Sequence, residues 1–285
     1  VGNDISSIKT IINGTCNYIL TQMTNKQLPF EQVLADAQKL GYAEADPTLD
    51  IEGGDTGHKI AIMASLLYGG YVPFDRIGVE GITGITPDDI ACAGELGYCI
   101  KLLGIIKNCD GVVDVRVHPA MLHKEHILAS VSDVFNAVLL EGDAVGDILL
   151  YGKGAGEMPT ASAVMCDIID VARNIVSGFP RRIPMTWYRK ENELPLRELN
   201  AISARYYLRF TVCDKPGVLA SIAAILGKKD ISIASVVQRE GFSAQGVPVI
   251  ILTHTATEKN IRDACREVET MDFVRNTTQM IRIED

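Results

Sequence analysis

The sequence has 285 residues, 47% hydrophobic and 22% charged, with 27 basic against 36 acidic side chains and a formal net charge of −9. That length suits one large domain or two ordinary ones, and the composition is that of a soluble globular protein. The acidic balance speaks against nucleic acid or an anionic membrane as the main partner, and no uninterrupted apolar stretch reaches the roughly 18–20 residues of a membrane span.

Seven cysteines (16, 92, 99, 109, 166, 213 and 265) are dispersed, with no Cys-x-x-Cys pair. The pattern points to reduced thiols in a cytoplasmic setting, without a disulfide framework or a zinc site. The start Val1-Gly2-Asn3-Asp4 has neither an initiator Met nor a signal-peptide pattern, and suggests a piece of a longer chain.

Ser7–Asn13 reads as a short strand ending at Gly14. Cys16, Ile19, Leu20 and Met23 then share one helical face, with Thr15 as the expected cap. A second helix follows Pro29, with Phe30, Val33, Leu34 and Ala37 at helical spacing and Gly41 closing it. The third, about Gly54 to Tyr68, is apolar nearly all round over Ile60–Leu67, which predicts a buried helix.

After a short helix near Pro87–Leu96 the pattern turns to strands. Ile100–Lys107 and Val112–His118 flank an Asp110-Gly111 turn, a hairpin signal. Further strands are expected at Ile127–Val131, Asn136–Leu140 and Asp147–Tyr151, then a helix over Pro159–Ile175. The fold class is α+β: a mainly antiparallel sheet with covering helices.

Pro- and charge-rich runs interrupt every hydrophobic period over 176–202, which divides the chain into a first domain over 1–175, this linker, and a second domain over 203–285. In the second, Tyr206–Val212, Ile231–Arg239, Val247–His254 and Gln279–Ile283 read as strands, and Pro216–Gly227 and Glu258–Glu269 as helices. This βαββαβ order is the ferredoxin-like split unit.

Five carboxylates lie within the twelve residues from Glu44 to Asp55, ahead of a helix with an apolar body. Like charges so close face water, bind a cation or meet a cationic substrate. Asp55 and Lys59 are i, i+4 neighbours. A lysine entering a buried helix beside an aspartate suits proton transfer. A solvated acidic loop with an ordinary surface ion pair explains the same residues. The run Gly152-x-Gly154-x-Gly156 marks a turn needing positive φ or a close approach to a ligand, and lacks the strand–GxGxxG–helix context of a dinucleotide fingerprint.

The segment from Gly41 to Lys59 resembles the signature of homoserine dehydrogenases, and the runs Asn13–Leu20, Gly152–Gly156 and Pro159–Ala163 are also similar to that family. The resemblance implies interconversion of homoserine and aspartate semialdehyde with NADP or NAD. Lys59 would move the proton at the substrate oxygen and Asp55 would orient it. Glu44 and Asp50 would hold the substrate ammonium, with Tyr42 nearby and Thr15 on the carboxylate side. Gly154 and Gly156 would approach the nicotinamide, and the helix that follows would pack against a nucleotide-binding half. That half is expected before residue 1, so this chain alone is expected neither to bind a dinucleotide productively nor to turn over substrate unless another polypeptide supplies it.

In the second domain, Pro216 is expected to open a helix whose first N–H groups, bared by Gly217, suit a carboxylate. A helix capped by Asp214 is the alternative. Asp214-Lys215-Pro216-Gly217-Val218-Leu219 is similar to the strand–helix turn of ACT regulatory domains. That resemblance implies an amino-acid ligand, threonine first, held by Asp214, Gly217, Val218 and Gln238. It also implies pairing of modules in a homodimer or homotetramer. An amino-acid sensor without catalysis of its own is the competing reading.

Overall fold

The computed structural model describes residues 2–179, 191–238 and 246–284. These form two compact units, one running to His118 and resuming over His123–Arg197, the other comprising Pro119–Leu122 and the chain from Glu198 on.

The elements of the first unit are β1 (Ile5–Ile11), α1 (Gly14–Lys26), α2 (Phe30–Lys39), α3 (Thr48–Ile51), α4 (Gly54–Tyr68), β2 (Gly78–Val79), α5 (Pro87–Glu95), β3 (Tyr98–Cys109), β4 (Val112–His123), β5 (Phe135–Gly142), β6 (Gly146–Lys153) and α6 (Glu157–Val176). The sheet runs β6-β5-β1-β3-β4, with β2 parallel to β4. β1 is central and antiparallel to both neighbours, with Thr10 opposite Gly104 on β3 and Val138 on β5. Asp110 and Gly111 both take positive φ between β3 and β4, as an Asp-Gly hairpin turn requires. The α+β class and the antiparallel character agree with the sequence reading.

α1 and α4 cover the sheet with the faces that periodicity picks out. Cys16, Ile19, Leu20 and Met23 of α1, and Ile60, Ala61 and Ala64 of α4, are buried. Each fully buried Leu or Ile contributes about 1.5–3 kcal/mol. Gly104 lets α4 approach closely, because a Cβ there would lie 2.6 Å from Ile60 and 3.0 Å from Thr10.

Four sequence expectations need correction in this unit. β1 ends at Ile11 because Asn13 leaves the strand to cap α1, accepting from the Cys16 N–H at 2.8 Å; Thr15 is not the cap. α4 is not buried all round, since Ile62 and Leu66 are 53% and 49% exposed. Its inner face carries Thr56, Gly57, Ile60, Ala61, Ala64 and Ser65, and Ile62 and Leu66 fall on the other side of the helix. The expected strand Ile127–Val131 is instead a 3-10 turn over Ile127–Ser130. His126 accepts from the Leu128 N–H and Ser130 donates to the Ile127 carbonyl, local bonds that replace a strand ladder. α6 contains no buried residue.

The linker expected over 176–202 falls outside the described residues at 180–190. Beyond them, Asn192 and Leu194 exchange backbone hydrogen bonds with Tyr71 at 2.7 and 2.9 Å, and Pro195 and Arg197 do so with Val113 at 2.8 and 2.9 Å.

The second unit contains β7 (Ser203–Val212), α7 (Val218–Lys228), β8 (Ile233–Gln238), β9 (Val247–Thr253), β10 (Ala256–Thr257), α8 (Glu258–Glu269) and β11 (Gln279–Glu284). Strand order β11-β7-β9-β8, antiparallel throughout, is the ferredoxin-like arrangement. The end of the expected second strand, Arg239, lies outside the described residues. Ile222, Leu226, Ile261 and Val268 pack onto Tyr206, Leu208 and Phe210. Glu258, fully buried at the start of α8, accepts from Tyr206 Oη at 2.8 Å, Arg262 Nε at 2.7 Å and Arg282 Nε at 2.9 Å. Those partners are what make a buried carboxylate tolerable.

α7 begins at Val218, not Pro216. Gly217 adopts φ +89° as the residue before the helix, and no side chain, Asp214 included, caps it.

Candidate active site

β1 delivers the chain to the head of α1, and the residues at that junction carry most of the site. Ile12, Asn13, Gly14 and Thr15 line a cleft of about 570 Å³ together with Tyr42, Asp50, Asp55 and Lys59. Its other wall comes from Asn136 on β5, Lys153 on β6, the turn 154–156 and the start of α6.

Asp50 sits on α3 and Asp55 in the first turn of α4. Gly53 joins them at φ +84°, where a Cβ would press within about 3.1–3.3 Å of Val79, the Glu80 carbonyl and Val117. This tight turn aims both carboxylates at Asn13. The Asn13 side-chain nitrogen donates to Asp50 Oδ1 at 2.7 Å and to Asp55 Oδ2 at 2.9 Å. Lys59 Nζ donates to the same Asp55 Oδ2 at 2.6 Å and to the Ile12 carbonyl at 3.1 Å.

The Lys59 and Asp55 side chains are 47% and 24% exposed. The sequence reading placed Lys59 at the entrance to a buried helix; it stands instead on the open wall of the cleft. An ion pair this exposed is worth at most about 1 kcal/mol to the fold. Stability is therefore a weak reason for an arrangement that holds one exposed lysine with both Asp55 and the Ile12 carbonyl.

Thr15 donates from Oγ1 to the Tyr42 carbonyl at 2.7 Å, and the Tyr42 ring lies 4.8 Å from that of Tyr18. Tyr42, Thr15, Asp50, Asp55 and Lys59 thus share one cavity with Gly154 and Gly156. Glu44 does not line it: its side chain is exposed, while its carbonyl and that of Ala45 accept from Gln38. Asp46 turns inward on its own loop, bonding the Thr48 hydroxyl and N–H, which hold its carboxyl below the usual range.

Behind the carboxylates lies the buried Cys16, whose thiol donates to the Asp50 carbonyl at 3.2 Å. Burial, then Asp50 and Asp55, push that thiol well above its ordinary range, so it stays protonated and unreactive.

Asn13, Asn136 and Lys153 are among the lining residues that escaped the sequence reading. Asn13 carried a capping signal, an Asn before a helix, but nothing in the sequence tells of the carboxylates it reaches. Asn136 and Lys153 enter only through the β5–β6 register, in which Asn136 pairs with Gly152 and Lys153 with Phe135. A Cβ on Gly154 would overlap the Asn136 side chain, which explains one glycine of the turn by packing. Gly152 faces open space.

In the second unit, a cavity of about 350 Å³ is lined by Asp214, Lys215, Gly217, Val218 and Gln238 among others. All four residues expected at the regulatory site meet there. Among the described residues no cluster of His, Cys, Asp and Glu could hold a metal ion, and no helix is long and apolar enough to cross a membrane.

Fold and cleft define the class: an α+β domain with an acidic cleft that holds a lysine, followed by a ferredoxin-like module. Comparison with known proteins makes it specific. The family model "Homoserine dehydrogenase" matches residues 1–169, and that of the ACT domain matches 206–269. The homoserine dehydrogenase of Neisseria gonorrhoeae is 44% identical over 287 residues, covering 99% of this chain and 65% of the relative. The crystal structure of a homoserine dehydrogenase from Thiobacillus denitrificans superposes with a TM-score of 0.91 at 42% identity, covering 99% of this chain and 65% of that one. For the enzyme of S. aureus at pH 6.5 the values are 0.74 and 30%, covering 100% and 66%. The chain belongs to the homoserine dehydrogenase family of oxidoreductases, and its second unit is an ACT domain. It spans about two thirds of the length of the curated relatives it matches.

Proposed function

We propose that the cleft binds homoserine or aspartate semialdehyde and carries the proton-transfer half of their interconversion. The observation that supports this best is the chain of contacts Asp50–Asn13–Asp55–Lys59, in which one wall presents two fixed carboxylates and a lysine.

In this reading the substrate ammonium sits at Asp50, which keeps one carboxylate oxygen free of the Asn13 bond, and Glu44, which does not line the cleft, has no contact with it in this structure. Thr15 and the first N–H groups of α1 take the substrate carboxylate. Tyr42 closes the cleft. Lys59 gives its proton to the carbonyl oxygen of the semialdehyde as the alcohol forms, and takes the hydroxyl proton in the reverse direction. Asp55 holds the lysine in line and balances its charge.

The family uses NAD(P). Of such a cofactor, the residues present fit the reacting end: Gly154 and Gly156 bound the cleft beside Lys59. When bound, the nicotinamide supplies or accepts the hydride. No strand–GxGxxG–helix unit for its phosphates occurs in the 285 residues, so turnover is assigned to the longer polypeptide and not to this chain alone. The exposed apolar surface of α6, including Met165, Ile168, Ile169 and Ile175, is read as the face toward that nucleotide-binding part.

The second-unit cavity is read as the site of a regulatory amino acid, with threonine the first ligand to try. Backbone groups at Gly217 and Val218 would take its carboxylate, and Asp214 and Gln238 its polar groups.

Because the carboxylates are there for the amine, the test is the substrate that lacks it. The complete polypeptide should oxidise homoserine with NAD or NADP at a kcat/KM at least about 100-fold above that for the hydroxy acid of equal chain length without the amine, the order expected for an unpaired buried charge. Equal rates on the two would contradict the reading.

A further inference from the structure

Asn13 is 5% exposed, and its hydrogen bonds define its orientation. Oδ1 accepts from the Cys16 N–H, so the side-chain nitrogen must be the atom that faces Asp50 and Asp55. An amide nitrogen has two hydrogens, and each carboxylate takes one. The neighbouring residue holds the rest of the constellation, since the Ile12 carbonyl accepts from Lys59. Two residues just past the end of β1, Ile12 and Asn13, thus hold Asp50, Asp55 and Lys59 on this wall of the cleft. β1 itself is fixed between β3 and β5, and Thr10 Oγ1 donates to the Ala137 carbonyl at 2.9 Å.

Capping α1 needs only an acceptor, for which Ser or Asp would serve as well. The two donated bonds are a separate property that capping does not explain. A neutral donor between two like charges fixes their separation without cancelling either one. It leaves Asp50 Oδ2 and Asp55 Oδ1 without a hydrogen-bond partner among the described residues.

We propose that Asn13 is a positioning residue of the reaction, its one side-chain NH2 setting the distance between Asp50, the ammonium partner, and Asp55, the residue that orients Lys59. The inference rests on reading the cleft as the homoserine site. Asn13 acts through two residues with different duties, so its loss has two separable effects. Freeing Asp50 raises KM for homoserine, and freeing Asp55 lowers kcat.

Asn13→Ser separates the two properties of the residue, because it keeps a capping oxygen and removes the donor. In the complete polypeptide, Asn13→Ser should raise KM and lower kcat, each by about tenfold, the size of a lost charge-assisted hydrogen bond. The melting temperature should stay within a few degrees of wild type. In an Asp50→Asn background the KM effect of Asn13→Ser should vanish while the kcat effect persists. The same KM effect in both backgrounds, or wild-type kinetics in Asn13→Ser, would overturn the proposal. NMR of the 285-residue chain adds a readout that needs no activity: the Asn13 side-chain amide protons should shift in Asp50→Asn and again in Asp55→Asn. Unmoved resonances refute the bridge itself, whereas an inactive wild-type enzyme with shifting resonances refutes only the functional reading.

Discussion

Lys59 and Asp55 were legible as a pair because an i, i+4 spacing on a helix is geometry that a sequence carries. What joined them to Asp50 was not legible, since Asn13 lies 37 residues from Asp50 and 42 from Asp55, and meets them only through the fold. Burial of single residues shows the same divide. Cys265 is buried on α8, and its thiol is pushed from 9.0 to about 12 by burial, then by Glu269. Because the folded chain disfavours the thiolate, this residue contributes full stability below about pH 9 and loses it as pH rises toward 12, by about 1.4 kcal/mol per unit. Thermal unfolding of wild type and Cys265→Ala should show wild type more stable near pH 8, with the gap narrowed near pH 10. An unchanged gap would mean that Cys265 titrates normally.

Among the elements, those with a strong period and a clear stop were read closely: α4 and α8 have the bounds expected, and the ferredoxin-like order needs no change. The misreadings have local causes. Ile127–Val131 is too short an apolar run for periodicity to separate a strand from a turn. Helix α7 starts after Gly217 because that residue takes positive φ, which leaves the turn 214–217 curled around the cavity faced by Gln238. A threonine seated there would stabilise the native chain by about 2.7 kcal/mol at 100 times its Kd. Wild type should therefore melt higher with threonine, and Gln238→Ala should respond less. No rise with threonine or any other amino acid would remove this element from regulation.

At the scale of the molecule, each unit has its own core and its own cavity. The sequence reading placed a linker over 176–202, whereas the first unit runs on to Arg197 and the second also takes in Pro119–Leu122, a long-range grouping that hydrophobic periods do not carry. The apolar period of α6 marks a face to be covered but not what covers it, and no residue of α6 is buried within the chain. Such a surface agrees with a chain that spans about two thirds of the length of its relatives.

The central claim is that Lys59 moves the substrate proton while a bound nicotinamide supplies or accepts the hydride. Steady-state oxidation of homoserine by the complete polypeptide, wild type beside Lys59→Ala, tests it most directly. The account predicts a kcat lower by about 10²–10⁴-fold, the usual worth of a general acid–base group, with an unchanged melting temperature and KM altered only modestly. A folded Lys59→Ala enzyme turning over at the wild-type rate would contradict it.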